Sequence, residues 1–362
     1  MKATLVTGDC RTVLPTLPER SVQCCVTSPP YFGLRDYGHG AQIGLEPTPA
    51  QYVAELVAVF REVRRVLADD GVLWLNLGDS YARNPAKGGS GTPNGRNVLS
   101  TGCAGGAGIP AESKEKDLLG IPWRVAFALQ ADGWYLRADI IWHKPNPMPE
   151  SVRDRPTKAH EYVFLLTKSA RYYYDAAAIA EPVTDAERPQ RSRALEIAQA
   201  AGLTEAHFDA IRSCGMTDAG KSQVTQSGYG ANSPEVQALA DEAKAALGGY
   251  YREFLTKRSG NKERTYGTNA ATRNVRSVWP ITTKPYVGAH FATMPPDLAE
   301  RCILAGSRPG DTVLDPFSGS GTTASVAVGH GRQAIGIEAN PAYQALAVER
   351  IGPMLATVEV AA

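Results

Sequence analysis

Short apolar runs and long helical stripes alternate along most of this chain. Residues 3–7 (Ala-Thr-Leu-Val-Thr) and 22–27 (Val-Gln-Cys-Cys-Val-Thr) are compact apolar runs. The first is closed by Gly8-Asp9-Cys10 and the second by Pro29-Pro30, so both predict buried strands. Between 49 and 68 the apolar positions are Tyr52, Val53, Leu56, Val59, Phe60, Val63, Val66 and Leu67. That spacing predicts a helix, with Pro49 near its start. Asp70-Gly71 then predicts a turn into a strand over 72–77. A helix around 121–132, strands over 135–142 and 161–166, and a helix near 295–305 follow. A strand over 312–315, a helix from about 321, a strand over 333–338 and a helix over 341–351 complete the series. Strands separated by helices predict an α/β fold with a largely parallel sheet.

Two stretches break the pattern. Residues 83–116 are rich in Gly, Ser, Pro and Asn and lack periodicity. A loop of that length is either a functional lid or a surface loop. Residues 181–275 carry polar helices at about 185–201 and 235–247 between Gly/Ser/Asn-rich, Arg/Lys-bearing loops. They read as an inserted module. The divisions are therefore 1–180, the insert 181–275, and 276–362, with the two outer parts forming one domain.

Composition narrows the function classes. A length of 362 residues suits one large domain with an insertion. The net charge of +1 confines any nucleic-acid surface to a local patch. The six cysteines are scattered without a C-x-x-C pair, which points to reduced thiols in a cytoplasm. Cys24 and Cys25 sit inside a strand and read as buried, inert thiols. No signal-peptide pattern or membrane-spanning apolar run appears. The histidines do not pair at metal-ligand spacing, so no metal is expected. Zinc deaminase and phosphate-loop signatures are also missing.

Two motifs carry chemistry. Asp315-Pro316-Phe317-Ser318-Gly319-Ser320-Gly321-Thr322-Thr323 places a Gly-rich turn between a strand and a helix. Glycines allow a ligand close to the backbone, and the helix start offers unpaired N–H groups. Gly319, Gly321 and Ala324, with Glu338 ending the next strand, also fit dinucleotide spacing, so a nicotinamide enzyme competes by spacing alone. Against it, too few strands remain after residue 312, and Asp315 and Phe317 offer an acid for a ligand amine and a ring for its flank. Residues 3–7, ending at Gly8-Asp9, can supply the missing strand, which makes the fold a circular permutation. The second motif is Ser28-Pro29-Pro30-Tyr31. Its prolines stiffen the backbone and leave carbonyls as acceptors. An exocyclic amine is a poor nucleophile because its lone pair delocalises into the ring. If the Ser28 hydroxyl oxygen and the Pro29 carbonyl accept its two N–H bonds, the nitrogen lone pair turns outward. Tyr31 is placed to stack on an extruded base.

With Gly8-Asp9, Gly71–Tyr81, Asp132–Lys168 and His290–Pro296, these motifs resemble the permuted, beta-type amino-methyltransferases of DNA, the N4-cytosine/N6-adenine family. The resemblance covers the chain except 83–116 and 181–275. It implies an S-adenosylmethionine-dependent, Rossmann-like fold, circularly permuted, with a seven-stranded, mostly parallel sheet and a target-recognition insert. It implies catalytic roles for Ser28, Pro29, Pro30 and Tyr31. It places S-adenosyl-L-methionine against Asp9, Thr293, Asp315, Phe317, Ser318, Gly319, Gly321, Thr322, Thr323 and Glu338. Ser28 stands where adenine-modifying members often carry Asp, which leans the target toward cytosine N4. Adenine N6, and an inactive DNA-binding homologue, remain alternatives. So do RNA or protein-glutamine substrates, although those relatives usually carry the motifs in the opposite order.

Double-stranded DNA is the expected partner, and a cognate restriction endonuclease is a candidate second one. Basic residues interleaved with Tyr250, Tyr251 and Tyr266 give the insert its expected DNA contacts: Lys257, Arg258, Lys262, Arg264 and Arg273, with Arg276 at its edge. Arg153, Arg155 and Lys158 form a second polar loop, and Arg35 follows Tyr31 at the mouth of the same site.

Overall fold

The computed structural model describes residues 1–34, 42–82, 113–182, 196–215, 234–249, 272–283 and 294–361. The chain forms two compact units, one of Met1–Ile179 with Val275–Ala362 and one of Ala180–Asn274.

The first unit is built on a sheet of β1 (Ala3–Thr7), β2 (Val22–Thr27), β3 (Leu67–Leu77), β4 (Tyr135–His143), β5 (His160–Thr167), β6 (Val278–Pro280), β7 (Thr312–Asp315), β8 (Gln333–Glu338) and β9 (Ala356–Val360). Their order across the sheet is β9-β1-β8-β7-β2-β3-β5-β4-β6. Among these strands β5 alone runs antiparallel to its neighbours. The expected mostly parallel α/β sheet is therefore present, with nine strands among the described residues in place of seven. The two extra strands sit at the edges. β6 is a three-residue strand ending in Pro280, and β9 is largely exposed. Edge strands of this kind bury too little apolar surface to announce themselves by pattern.

β1 pairs in parallel with β8, Thr7 opposite Glu338, as the permutation requires. β9 adds to its other side, with Ala3 N donating to Leu355 O and Ala361 N to Thr7 O.

Side chains alternate across the sheet and divide the core in two. Cys25, Leu73, Phe164 and Leu166 face a cluster with α2 (Pro49–Val66) and α3 (Ile121–Ala131). Cys24, Trp74, Val163 and Leu165 face the opposite cluster. There they meet residues of α6 (Pro296–Gly306), α7 (Thr322–Gly329) and α8 (Pro341–Ile351). α2 buries Tyr52, Leu56, Val59, Phe60, Val63 and Val66, and Thr48 caps it by accepting from Gln51 N. α1 (Cys10–Val13) is a single turn after β1. The turn expected at Asp70-Gly71 is absorbed into β3 as a bulge: Val22 pairs with Leu67 but Cys24 pairs with Val72. Glycine is required there, since a Cβ on Gly71 would lie 2.9 Å from Ala68 O.

In the second unit, α4 (Glu205–Gly215) and α5 (Pro234–Leu247) pack through Ile211, Ala243 and Leu247, and through Ala210 against Ala240. Two-residue strands Glu181–Pro182 and Thr272–Arg273 pair antiparallel. The helix over 205–215 was not expected, and 185–195 of the expected helix lie outside the described residues. So does 83–112 of the aperiodic stretch. Among the described residues no helix is long and apolar enough to cross a membrane.

Gly306, at the end of α6, marks a close helix–sheet approach. A Cβ there would sit 2.7 Å from Cys24 Sγ and Val72 Cγ2 and 2.8 Å from Trp74 Nε1. Gly306→Ala is expected to destabilise the fold by about 1–3 kcal/mol through overpacking, read as a lower urea midpoint at unchanged slope.

Candidate active site

The parallel strands β1, β8, β7 and β2 end on the same side of the sheet, and one cavity opens over those ends. The Gly-rich turn forms its floor. Gly319 (φ 52°) and Gly321 (φ 74°) adopt left-handed backbone that favours glycine. A Cβ on Gly321 would also collide with Ala347 Cβ at 2.7 Å, so α8 can approach only a glycine. Arg350 of α8 ties the turn down by donating to Ser320 Oγ (3.1 Å) and Thr322 Oγ1 (2.6 Å).

Three carboxylates line the cavity. Glu338, at the end of β8, accepts Gly319 N at 2.8 Å and Asn340 N at 2.9 Å, and burial pushes its carboxyl upward. Asp9 caps α1 by accepting Arg11 N at 2.8 Å and forms an ion pair with the Arg11 guanidinium at 2.6 Å. Arg11 continues to Glu55 at 3.2 Å. Asp315 is buried at the end of β7. Its Oδ1 accepts Thr27 Oγ1 at 2.7 Å and Phe317 N at 3.0 Å. Burial outweighs those donors and raises its carboxyl from 3.8 to about 6. Cys10 also lines the cavity; burial first, then Asp9, pushes its thiol up to about 12, which leaves it inert as a nucleophile.

The second motif begins where β2 ends. Ser28 and Pro30 line the same cavity as the Gly-rich turn. The Pro30 carbonyl accepts Tyr52 Oη of α2 at 2.8 Å, which anchors the loop to the core. Tyr31 Oη lies 2.6 Å from Glu161 Oε2, and 3.2 Å from both Asn76 Oδ1 and Ser28 Oγ. Burial, then the Glu161 charge, pushes this phenol well above its ordinary value. The ring packs on Gly78, where a Cβ would come within 2.5 Å of Tyr31 Cε2.

The expected cofactor residues Asp9, Asp315, Phe317, Ser318, Gly319, Thr322, Thr323 and Glu338 all border this cavity. Gly321 supports the turn from beneath, and Thr293 lies outside the described residues. The expected DNA residues are spread more widely. Arg153 and Arg276 are exposed. Arg155 stacks 4.1 Å from the Tyr81 ring centroid and pairs with Glu150 at 2.6 Å. Lys158 donates to Asp79 O at 3.1 Å, and burial lowers its ammonium value. Arg273 pairs with Glu181 at 3.3 Å within the second unit. Arg35, Lys257, Arg258, Lys262 and Arg264 lie outside the described residues. Sequence reasoning did not single out Arg11, Asn76, Gly78, Glu161 or Arg350. Of these, only Gly78, a glycine directly after a strand, carries a local signal.

The Asp315 shift fixes the sign of a pH effect. The folded state holds this proton more tightly than the unfolded chain, so the associated stability is present below about pH 4 and is lost as pH rises through about 6. Asp315→Asn keeps the Thr27 and Phe317 bonds and cannot ionise. Urea unfolding at pH 7.5 is expected to show it more stable than the parent by up to roughly 3 kcal/mol, with the gain shrinking toward pH 4.

Comparison with known proteins agrees with the geometry. The chain matches the family described as DNA methylase, of the N6/N4 type, over residues 22–349. It is 42% identical over 360 residues to the type II methyltransferase M.XycI of Xanthomonas campestris pv. cyanopsidis, covering 96% of this chain and 87% of that protein. M.Cfr9I of Citrobacter freundii is 41% identical with the same coverage. Among solved structures, the cytosine-N4-specific PvuII DNA methyltransferase superposes with a TM-score of 0.53 at 18% identity, over 97% of this chain and 87% of that one. TTHA0409 of Thermus thermophilus, solved with S-adenosyl-L-methionine, gives 0.52 at 22% identity over 99% of both chains. The structural likenesses show a shared fold, and the family match over nearly the whole chain, with relatives above 40% identity, shows that this chain belongs to the N6/N4 family of DNA methylases.

Proposed function

We propose that this protein transfers a methyl group from S-adenosyl-L-methionine to the N4 amino group of a cytosine turned out of double-stranded DNA. The observation that carries the reading is that Ser28 and the Gly-rich turn border one cavity, joined by the Thr27–Asp315 hydrogen bond. The donor set suits that cofactor. Glu338 stands where a ribose diol can donate, Phe317, Ile337 and Tyr343 offer apolar walls, and Asp9 and Asp315 are acceptors for an ammonium. When bound, the sulfonium cofactor supplies an activated methyl group.

The chain's own residues do the rest. Ser28 Oγ and the Pro29 carbonyl accept the two N–H bonds of the target amine and turn its lone pair outward. Tyr31, backed by Gly78, stacks on the base. Positioning supplies most of the rate; the surplus amine proton leaves to water after transfer, so no residue needs to act as a strong base. Ser28 in place of a carboxylate favours cytosine over adenine. Arg153, Arg155, Lys158 and Arg276, with the basic residues of the 180–274 unit, supply the DNA contacts, and that unit reads the target sequence. The type II naming of the relatives supports a cognate restriction endonuclease as the enzyme's counterpart.

Incubating the purified protein with mixed-sequence duplex DNA and S-adenosylmethionine, then analysing nucleosides by mass spectrometry, tests this. N4-methylcytosine is the expected product. N6-methyladenine would overturn the assignment of the base, and no methylated base would overturn the enzymatic reading. Ser28→Ala is expected to lower turnover about 10- to 100-fold while leaving S-adenosylhomocysteine affinity within about twofold.

A further inference from the structure

A serine hydroxyl has one proton and two lone pairs, and its role at an amine depends on where the proton points. A Ser28 proton aimed at the target nitrogen would occupy the lone pair that must receive the methyl group. A proton aimed elsewhere leaves Ser28 able only to accept. The contacts behind Ser28 decide between these cases.

Tyr31 Oη has a single proton and three oxygen neighbours. Glu161 Oε2 is the nearest at 2.6 Å and is a carboxylate oxygen, so it takes that proton. The carboxylate is held as an acceptor from two further sides: Lys144 Nζ donates to Oε1, and Asn76 Nδ2 donates to Oε2 at 3.0 Å. Asn76 Nδ2 also donates to Tyr162 O at 3.1 Å, which fixes the amide with Oδ1 toward Tyr31. With its proton directed to Glu161, Tyr31 Oη can only accept from Ser28, 3.2 Å away. The Ser28 proton therefore points back toward Tyr31, and its lone pairs are left for the cavity that Ser28 lines.

We infer that Glu161 is a positioning residue which, through the Tyr31 hydroxyl, sets the polarity of Ser28 as a pure acceptor for the substrate amine. The inference rests on the amino-methylation reading but not on the identity of the base, since cytosine and adenine amines need the same acceptor. Lys144 and Asn76 serve Glu161, and Lys144 is itself braced 4.5 Å from the Trp142 ring centroid.

The test is a pair of double-mutant cycles read by steady-state methylation kinetics. Glu161→Gln keeps the shape but offers an amide donor to Tyr31 Oη, which allows the chain of protons to run in reverse, toward the cavity. It is expected to lower kcat about 10- to 100-fold, with the KM for S-adenosylmethionine and the affinity for S-adenosylhomocysteine within about twofold of the parent. On a Tyr31→Phe background, where the chain is cut, the same substitution should change kcat less than about twofold. A Ser28→Ala background gives the same reading without touching the packed ring, and serves if Tyr31→Phe fails to fold. Full activity in Glu161→Gln would overturn the inference. So would a loss that persists undiminished on the Ser28→Ala background, which would make Glu161 a structural anchor for Lys144. The parent rate in the same assay tests the enzymatic reading itself, so a parent that makes no methylated base overturns that reading, whereas a loss confined to the variants bears on Glu161.

Discussion

Thr27 and Asp315 lie 288 positions apart, yet the hydroxyl of one donates to the carboxyl of the other at 2.7 Å. Much of the site's arrangement depends on that contact. It exists because β2 and β7 are parallel neighbours, with Cys24 opposite Val313 and Cys25 opposite Leu314, so both strands end at the same level. From this pair the sheet grows outward in both directions, through β8, β1 and β9 on one side and β3, β5, β4 and β6 on the other. Strand order that diverges in this way opens a crevice at the carboxyl ends, where α/β proteins hold ligands. A buried carboxyl there is costly unless donors surround it. Thr27 Oγ1 and Phe317 N supply them. The same bonds fix the Gly-rich turn to the residue just before Ser28, so the turn and the Ser28 loop are set relative to each other by a side-chain contact as well as by loop conformation.

Permutation extends this logic to the ends of the chain. β1 lies beside β8, and Gly8 N donates to Glu338 O. Asp9 and Glu338, neighbours in space, come from opposite ends of the sequence. The cavity wall thus joins residues that follow the first two strands to the last third of the chain, and it is complete only after long-range strand pairing has occurred. α1 follows directly and holds Arg11 across Asp9, which balances the charge of that carboxylate.

The legible parts of this fold were those in which local pattern and tertiary role coincide. The apolar runs of β2, β7 and β8 and the stripe of α2 read directly because burial on two faces or one face leaves a period in the sequence. Gly319 and Gly321 read as a turn because their left-handed backbone favours glycine. Edge strands β6 and β9 escaped because they are short or exposed. Glu161 escaped for a different reason. It stands near the start of a strand, its neighbours Tyr31, Asn76 and Lys144 come from three separate segments, and no spacing rule links them. Arg11 and Arg350 are similar: each is an ordinary helix residue until the fold places it beside the Gly-rich turn or its opposing carboxylate.

The choice of a hydroxyl at position 28 follows from the same network. Glu161 is already a carboxylate one phenol away, joined to Tyr31 at 2.6 Å. A carboxylate at position 28 would face the same phenol from the other side and compete for its single proton. Either Tyr31 would release Glu161, leaving Lys144 and Asn76 to hold it, or two like charges would bracket one hydroxyl. Like charges at such separation repel and raise each other's proton affinity. A serine avoids the conflict because it is neutral and has a proton to give to Tyr31. Ser28, Tyr31 and Glu161 therefore form a matched set in which the identity of the first residue is constrained by the charge of the last.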